Sequence, residues 1–174
     1  MIKSGFTLKK FIILGILFVA AVGSLLHFLY DWSNQNILIS FIAPVSESVW
    51  EHFKLGFYAL LLYGLITYFF IRDKVNNFIF GLSLSSIGLN VSIGLLFYLY
   101  KLFIHHSIPW IDITLFIIGI IFAFFILYKI LALPPLPPIF NWIGIFIILI
   151  TISGFVIFTF KPLTRFDIFK DPTK

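Results

Sequence analysis

The sequence predicts an all-α integral membrane helical bundle of about five transmembrane helices, with a short interfacial or re-entrant segment before the second. Three observations carry this expectation. Of the 174 residues, 61% are hydrophobic and only 11% are charged, against about 25% charged in soluble domains. Apolar runs recur along the whole chain, each near the roughly 20 residues that cross a bilayer as a helix. Runs such as Ile143 to Phe160 lack the alternation, in segments of about ten residues, that a membrane β-barrel requires. The chain reads as one membrane domain over residues 1–174, with no soluble domain and no convincing internal repeat.

The first span covers about residues 11–30. Lys3, Lys9 and Lys10 precede it and Ala21-Val22-Gly23 loosely resembles a signal-peptide cleavage site, but the apolar run continues through Leu25, Leu26, Phe28 and Leu29. A retained helix is therefore expected rather than a cleaved leader. Asp31 to Asn36 forms a polar turn. Ile37 to Ala43 is apolar but too short to span, and it ends at Pro44. Irregular backbone at membrane depth must be shielded by protein or water, so this segment is the interfacial or re-entrant piece. Ser48 and Glu51 fit a capping box, with Ser46 as an alternative cap, so the second helix is expected to begin near one of these serines.

Its span covers about residues 55–71 and closes at Arg72-Asp73-Lys74. The third span covers about 78–103, with Ile104 to Pro109 as the joint to a fourth at about 110–131. Leu133-Pro134-Pro135-Leu136-Pro137-Pro138 cannot continue a helix and forms a stiff connector to a fifth span at about 139–160. Gly81, Ser85, Gly88 and Ser92 make a small-residue stripe for close helix packing on the third span. Trp32, Trp50, Trp110 and Trp142 sit near span ends, as interfacial anchors do. The chain has no cysteine, which excludes disulfide and thiolate chemistry. Its 24 phenylalanines suit lipid-facing surface and receive no functional role.

Five spans put the termini on opposite sides of the membrane. Lys and Arg divide six and six between the sides, so the three lysines flanking the first helix decide the orientation: a cell-membrane protein with a cytoplasmic N-terminus. The opposite side collects every histidine and six of the seven acidic residues, six positive charges against six negative, while the whole net charge of +5 lies on the N-terminal side.

That polar layer holds the candidate site. Pro44 to Lys54 is its richest part, with Glu47, Glu51, His52 and Lys54 in eleven residues of an otherwise hydrocarbon-rich chain. If helical throughout, Glu47 and Glu51 are i,i+4 neighbours with Lys54 three further on. His27 and Asp31 lie one turn apart at the end of the first span, and Asp112 lies one turn inside the fourth. Imidazole and carboxylate groups suit zinc or another divalent transition ion, so His27, His52 and Asp112 are the candidate metal ligands, with Glu51 as a candidate general base on metal-bound water. His27, Asp31, Glu47, Lys54 and Asn90 are candidate binding residues, Asn90 lying near mid-membrane beside Ser83 and Ser86. Plainer roles compete with each. Glu47, Glu51 and Lys54 fit a surface ion-pair row at a helix start, Asp112 fits a first-turn acid favoured by the helix dipole, His105 and His106 fit loop residues, and Asn90 fits helix–helix glue. No HExxH motif is present.

The segment Pro44, Val45, Glu47, Ser48, Trp50, Glu51, His52 and Lys54 resembles the Pro-Val-Asn-Glu-Ser-x-Trp-Glu-His-x-Lys signature of a family of small bacterial multi-pass membrane proteins of unknown function. Ser46 stands where that signature has Asn. The resemblance extends to His27-Phe28-Leu29-Tyr30-Asp31-Trp32 and to Phe169-Lys170-Asp171-Pro172. It implies a shared site built from these elements and supplies no activity.

Three functions fit. The first is binding or transport of a small polar solute or ion, with a homodimer or a partner membrane subunit expected because five spans are few for a transporter. The second is a membrane-embedded, metal-assisted hydrolase or transferase acting on an amphiphile. The third is a structural or accessory subunit in which the motif is a polar knot. Membrane lipid is the expected surrounding partner, and nucleic acid is not one.

Overall fold

Each of the five apolar runs forms one uninterrupted helix. The computed structural model describes residues 5–104 and 106–171. Its helices are α1 (Gly5–Trp32), α2 (Val49–Ile71), α3 (Phe78–Lys101), α4 (Pro109–Ala132) and α5 (Ile139–Phe160). Each is long and apolar enough to cross a membrane, and no strand occurs among the described residues. Two single 3-10 turns complete the chain, Ile39–Phe41 before α2 and Asp167–Phe169 in the tail.

Helix ends follow local chemistry. Ser48 is the N-cap of α2, in extended conformation, and its Oγ accepts the Glu51 backbone N–H at 3.3 Å, removing one orphan donor of the first turn. Pro109 opens α4, where its missing N–H costs nothing. Asn77 precedes α3 at φ 57°, a left-handed conformation that Asn tolerates better than most residues. Its side chain accepts from Leu136 N at 2.8 Å and donates to Pro134 O at 3.0 Å and Ile130 O at 3.2 Å. The α2–α3 turn is thereby fastened to the proline connector across the same end of the bundle.

Helices α1 to α4 form an antiparallel ring. Gly15 of α1 lies against Tyr63 and Phe124, and Gly23 lies against Leu55 and Phe116, so α1 runs opposite to both α2 and α4. Gly56 and Gly64 of α2 receive Leu89 and Leu82 of α3, and Gly119 of α4 receives Ile93 of α3. The core between them includes Val19, Leu60, Leu89, Ile120, Phe124 and Leu127. Helix α5 stands outside the ring against α3. A Cβ on Gly144 would come within 3.0 Å of Phe80 Cα and 3.1 Å of Ile79 O, so glycine lets the two backbones touch there. At its far end α5 leans on the head of α2 through Phe155, which packs on Phe57 and Trp50.

This topology brings the C-terminal ends of α1, α3 and α5 together with the N-terminal ends of α2 and α4. The segment from Asn36 to Pro44 folds back onto the head of α2, burying Ser40, Ala43 and Pro44. The tail returns over the same place: Phe169 packs at a tilt on Trp50 and on Phe158, with ring centroids 5.1 Å apart in both cases. Trp50 is thus an aromatic anchor for α5 and the tail. Trp32, Trp110 and Trp142 are each more than 60% exposed, as interfacial anchors would be.

Candidate functional site

The polar residues at the head of α2 divide into two groups, because the helix begins at Val49 and leaves Glu47 outside it. This corrects the expectation that Glu47 and Glu51 share a helical face. From Val49 onward, Glu51 and Lys54 turn toward the folded-back segment, while His52 turns toward α1.

The first group is a buried ion pair. Lys54 is 0% exposed and Glu51 is 3% exposed. Lys54 Nζ donates to Glu51 Oε2 at 2.7 Å, to Ser40 O at 2.9 Å and to Ala43 O at 3.4 Å, so its three protons have three acceptors. Glu51 Oε2 also accepts from Val45 N at 3.0 Å, and Glu51 Oε1 accepts from the Thr159 hydroxyl at 2.8 Å. Ser48 supplies its half of the expected capping box. The Glu51 carboxylate reaches further back than the cap, to Val45. This network ties the segment before α2, the first turns of α2 and the end of α5 into one unit, and it engages the Glu51 carboxylate that the sequence offered as a general base.

The second group lies between α1 and α2. His27 Nε2 and His52 Nε2 approach to 3.2 Å, and Glu47 Oε2 lies 3.4 Å from His52 Nε2 and 3.8 Å from His27 Nε2. These three atoms form the candidate metal-ligand group among the described residues. His52 Nδ1 sits 2.9 Å from Ser48 O. A carbonyl only accepts, so Nδ1 carries a proton; Nε2 donates to Glu47 while the ring is protonated and is left bare toward His27 and Glu47 once it is neutral. That is the arrangement by which backbone carbonyls orient metal-binding histidines. The Glu47 carboxyl is held below its usual range. The hydrogen-bonded His52 ring is the main cause, and it prevails over partial burial and the nearby Asp171 charge.

The group is open on one side, with the side chains of His27, Glu47 and His52 exposed by 34%, 49% and 29%. With bonds of about 2.0–2.1 Å, two ligand atoms of a tetrahedral zinc lie roughly 3.3 Å apart. The three observed separations bracket that edge.

The remaining candidates lie elsewhere. Asp31 is exposed one turn beyond His27. Asp112 accepts from the Tyr100 hydroxyl at 2.6 Å and from the Ser107 hydroxyl, and Glu47 rather than Asp112 stands third with the two histidines. Asn90 is 8% exposed, and its Oδ1 meets no donor among the described residues. Its serine neighbours are spent on their own helix: Ser83 Oγ donates to Phe80 O and Ser86 Oγ to Ser83 O. His106 is exposed, and His105 lies outside the described residues.

The whole chain, residues 1–174, matches the family of unknown function DUF6512. The chain belongs to that family. No curated protein and no solved structure matches it. A DUF6512 member thus presents five apolar helices with two polar groups at the head of the second, one sealed in the protein and one open. Thr159 was not among the residues the sequence singled out for the site, and Val45 entered only through the segment that carries the family resemblance.

Proposed function

We propose that this DUF6512 member is a membrane protein that binds a divalent transition-metal ion, of the class to which zinc belongs, through His27, Glu47 and His52. The observation that carries the reading is the convergence of Nε2, Nε2 and Oε2 at 3.2–3.8 Å, with the His52 ring fixed from behind by Ser48 O. When the His52 ring is neutral its bare Nε2 faces the Glu47 carboxylate, and a cation relieves their mutual repulsion. Imidazole with carboxylate favours zinc-like ions over calcium or magnesium, which prefer oxygen alone.

Ion binding fits better than ion passage. The serines flanking Asn90 return their protons to their own helix, which leaves no run of free polar groups along α3. The hydrolase reading asks Glu51 to act as a base, and three donors already occupy that carboxylate. The Glu51–Lys54 network accounts for the knot-like part of the motif and serves the site by fixing Ser48 and the start of α2. In this reading the exposed apolar faces of the helices meet lipid acyl chains.

The test is zinc titration of detergent-purified, chelator-stripped protein, read by competition with a chromogenic chelator. One equivalent should bind, with loss of binding in His27→Ala and His52→Ala and retention in His106→Ala, all as monodisperse protein. Binding that survives in both His27→Ala and His52→Ala, or no binding by the wild type, would overturn the reading.

A further inference from the structure

We infer that the outer face of α2 holds one anionic phospholipid, with an acyl chain in a groove between α1 and α5 and its phosphate on Arg72. The groove measures about 680 Å³. Its floor is the face of α2 that carries Tyr58, Leu62, Leu65 and Tyr68, and its walls include Leu26 of α1 and Ile148 of α5. The gap follows from how α5 is docked. Helix α5 touches the backbone of α3 at Gly144 and leans on the head of α2 through Phe155. Between those two points the face of α2 stays open, with Leu62 and Leu65 exposed by 42% and 65%.

The dimensions of the groove suit an acyl chain. The ten residues from Tyr58 to Tyr68 extend about 15 Å along the helix. That is the reach of the acyl chains of one leaflet, half of a hydrocarbon core about 30 Å thick. A further transmembrane helix, about 10–12 Å across with its side chains, would need roughly 1,200 Å³ over the same length. Charge then selects the headgroup. Phe78 closes the groove against Tyr68, with ring centroids 5.6 Å apart. Arg72 stands one turn beyond, its guanidinium carbon 5.5 Å from the centre of the Tyr68 ring and 6.0 Å from that of Phe69. A guanidinium laid on aromatic rings presents its planar fork of donors to phosphate oxygens. Its one acidic contact is the exposed Asp73 at 3.8 Å, a weak surface pair. Lys9, Lys10, Lys74 and Lys129 lie at the same end of the bundle, which carries the whole positive excess of the chain. No charged residue lines the groove itself. An apolar trough with a cationic mouth matches the polarity of an anionic lipid, as basic pockets between transmembrane helices do.

Native mass spectrometry of the full-length, delipidated protein in detergent tests this, with dioleoyl phosphatidylglycerol and dioleoyl phosphatidylcholine as the probes. One phosphatidylglycerol should bind, about fivefold more tightly than phosphatidylcholine, the preference that one cation confers at a membrane surface. Arg72→Gln should bring that preference below about twofold, and Arg72→Lys should keep part of it. Lys129→Gln, whose cation lies over Phe125, should keep all of it. Leu65→Trp, at an exposed position, should weaken the binding of both lipids by filling the groove, and water-soluble glycerol phosphate should not compete. Equal affinity of the wild type for the two lipids, or equal losses in Arg72→Gln and Lys129→Gln, would overturn the inference. So would competition by glycerol phosphate, which would put the phosphate on the surface without a chain in the groove. A wild-type dimer that Leu65→Trp breaks would overturn it too, with a second copy as the occupant. The groove shares no residue with the group of His27, Glu47 and His52, so each of these results leaves the metal-binding reading to its own titration.

Discussion

Replacing Lys54 by methionine keeps most of the side-chain volume and deletes the charge, and the structure sets what that should cost. Glu51, 3% exposed, would lose its 2.7 Å cation partner and keep only the Val45 N–H and the Thr159 hydroxyl as donors. Breaking a buried pair by removing one partner typically costs about 3–5 kcal/mol, because the remaining charge is uncompensated. The carbonyls of Ser40 and Ala43 would also lose their donor. Lys54→Met should therefore destabilise the fold by at least about 3 kcal/mol, and the segment before α2 should open first. The double replacement Glu51→Leu with Lys54→Met removes both charges, and such exchanges are often neutral or stabilising. It should be more stable than Lys54→Met alone. Equilibrium unfolding in mixed micelles with increasing sodium dodecyl sulfate, run as a double-mutant cycle, measures both quantities. A cost for Lys54→Met below about 1 kcal/mol, the range of exposed pairs, would refute the argument that this pair is a sealed structural clamp. A double mutant as unstable as the two single effects summed would refute it as well.

Three further outcomes follow from single observations. Gly144→Val should force α5 away from α3, since even a Cβ would press on Phe80 Cα and Ile79 O. Overpacking of this kind costs about 1–3 kcal/mol, read by the same unfolding assay, with Gly154→Ala as a tolerated control because its nearest neighbour would be 3.7 Å away. Asn77→Ala loses three side-chain hydrogen bonds, each about 1 kcal/mol net, and strains a left-handed position. It should destabilise by roughly 3 kcal/mol and raise protease sensitivity at the proline connector. The Glu47 carboxyl is lowered from its ordinary value of 4.5 by the His52 ring. A depressed carboxylate adds stability that is present above its unfolded value and lost as pH falls through the folded one. The stability difference between wild type and Glu47→Gln, measured by thermal unfolding without metal, should therefore hold above pH 4.5 for as long as the His52 ring keeps its second proton, and shrink below pH 4.5. A difference that grows as pH falls would contradict the assignment.

The helices were legible because bilayer-length apolar runs with polar or proline interruptions leave little choice of structure. The fifth span, about 139–160 from sequence, matches α5 at both ends. The N-cap at Ser48 was legible for a similar reason, since its chemistry is local. The site was legible only as an inventory. His27 and His52 could be named as a pair, but periodicity assigned Glu47 to a helix that starts two residues later, and so merged two groups that the N-cap separates. Asp112 looked equivalent to Glu47 by depth, yet Tyr100 and Ser107 occupy it from its own corner of the bundle. Thr159 and Phe169 reach the head of α2 from the end of α5 and from the tail. That return is set by Trp50 packing on Phe155, Phe158 and Phe169, a long-range aromatic contact that no local pattern encodes. Trp50 itself read as one more interfacial tryptophan. The role of Asn77 was hidden in the same way, because its partner Leu136 lies 59 residues further along the chain.

The central claim is that His27, Glu47 and His52 hold a metal ion together. X-ray absorption at the zinc edge of the loaded, full-length protein tests it most directly. The account predicts four nitrogen or oxygen ligands at about 2.0–2.1 Å, with the outer-shell scattering of two imidazoles, falling to one imidazole in His27→Ala if that variant is loaded at high zinc. A six-coordinate, water-like spectrum with no imidazole scattering, or one identical in wild type and the His27→Ala, His52→Ala double variant, would contradict it.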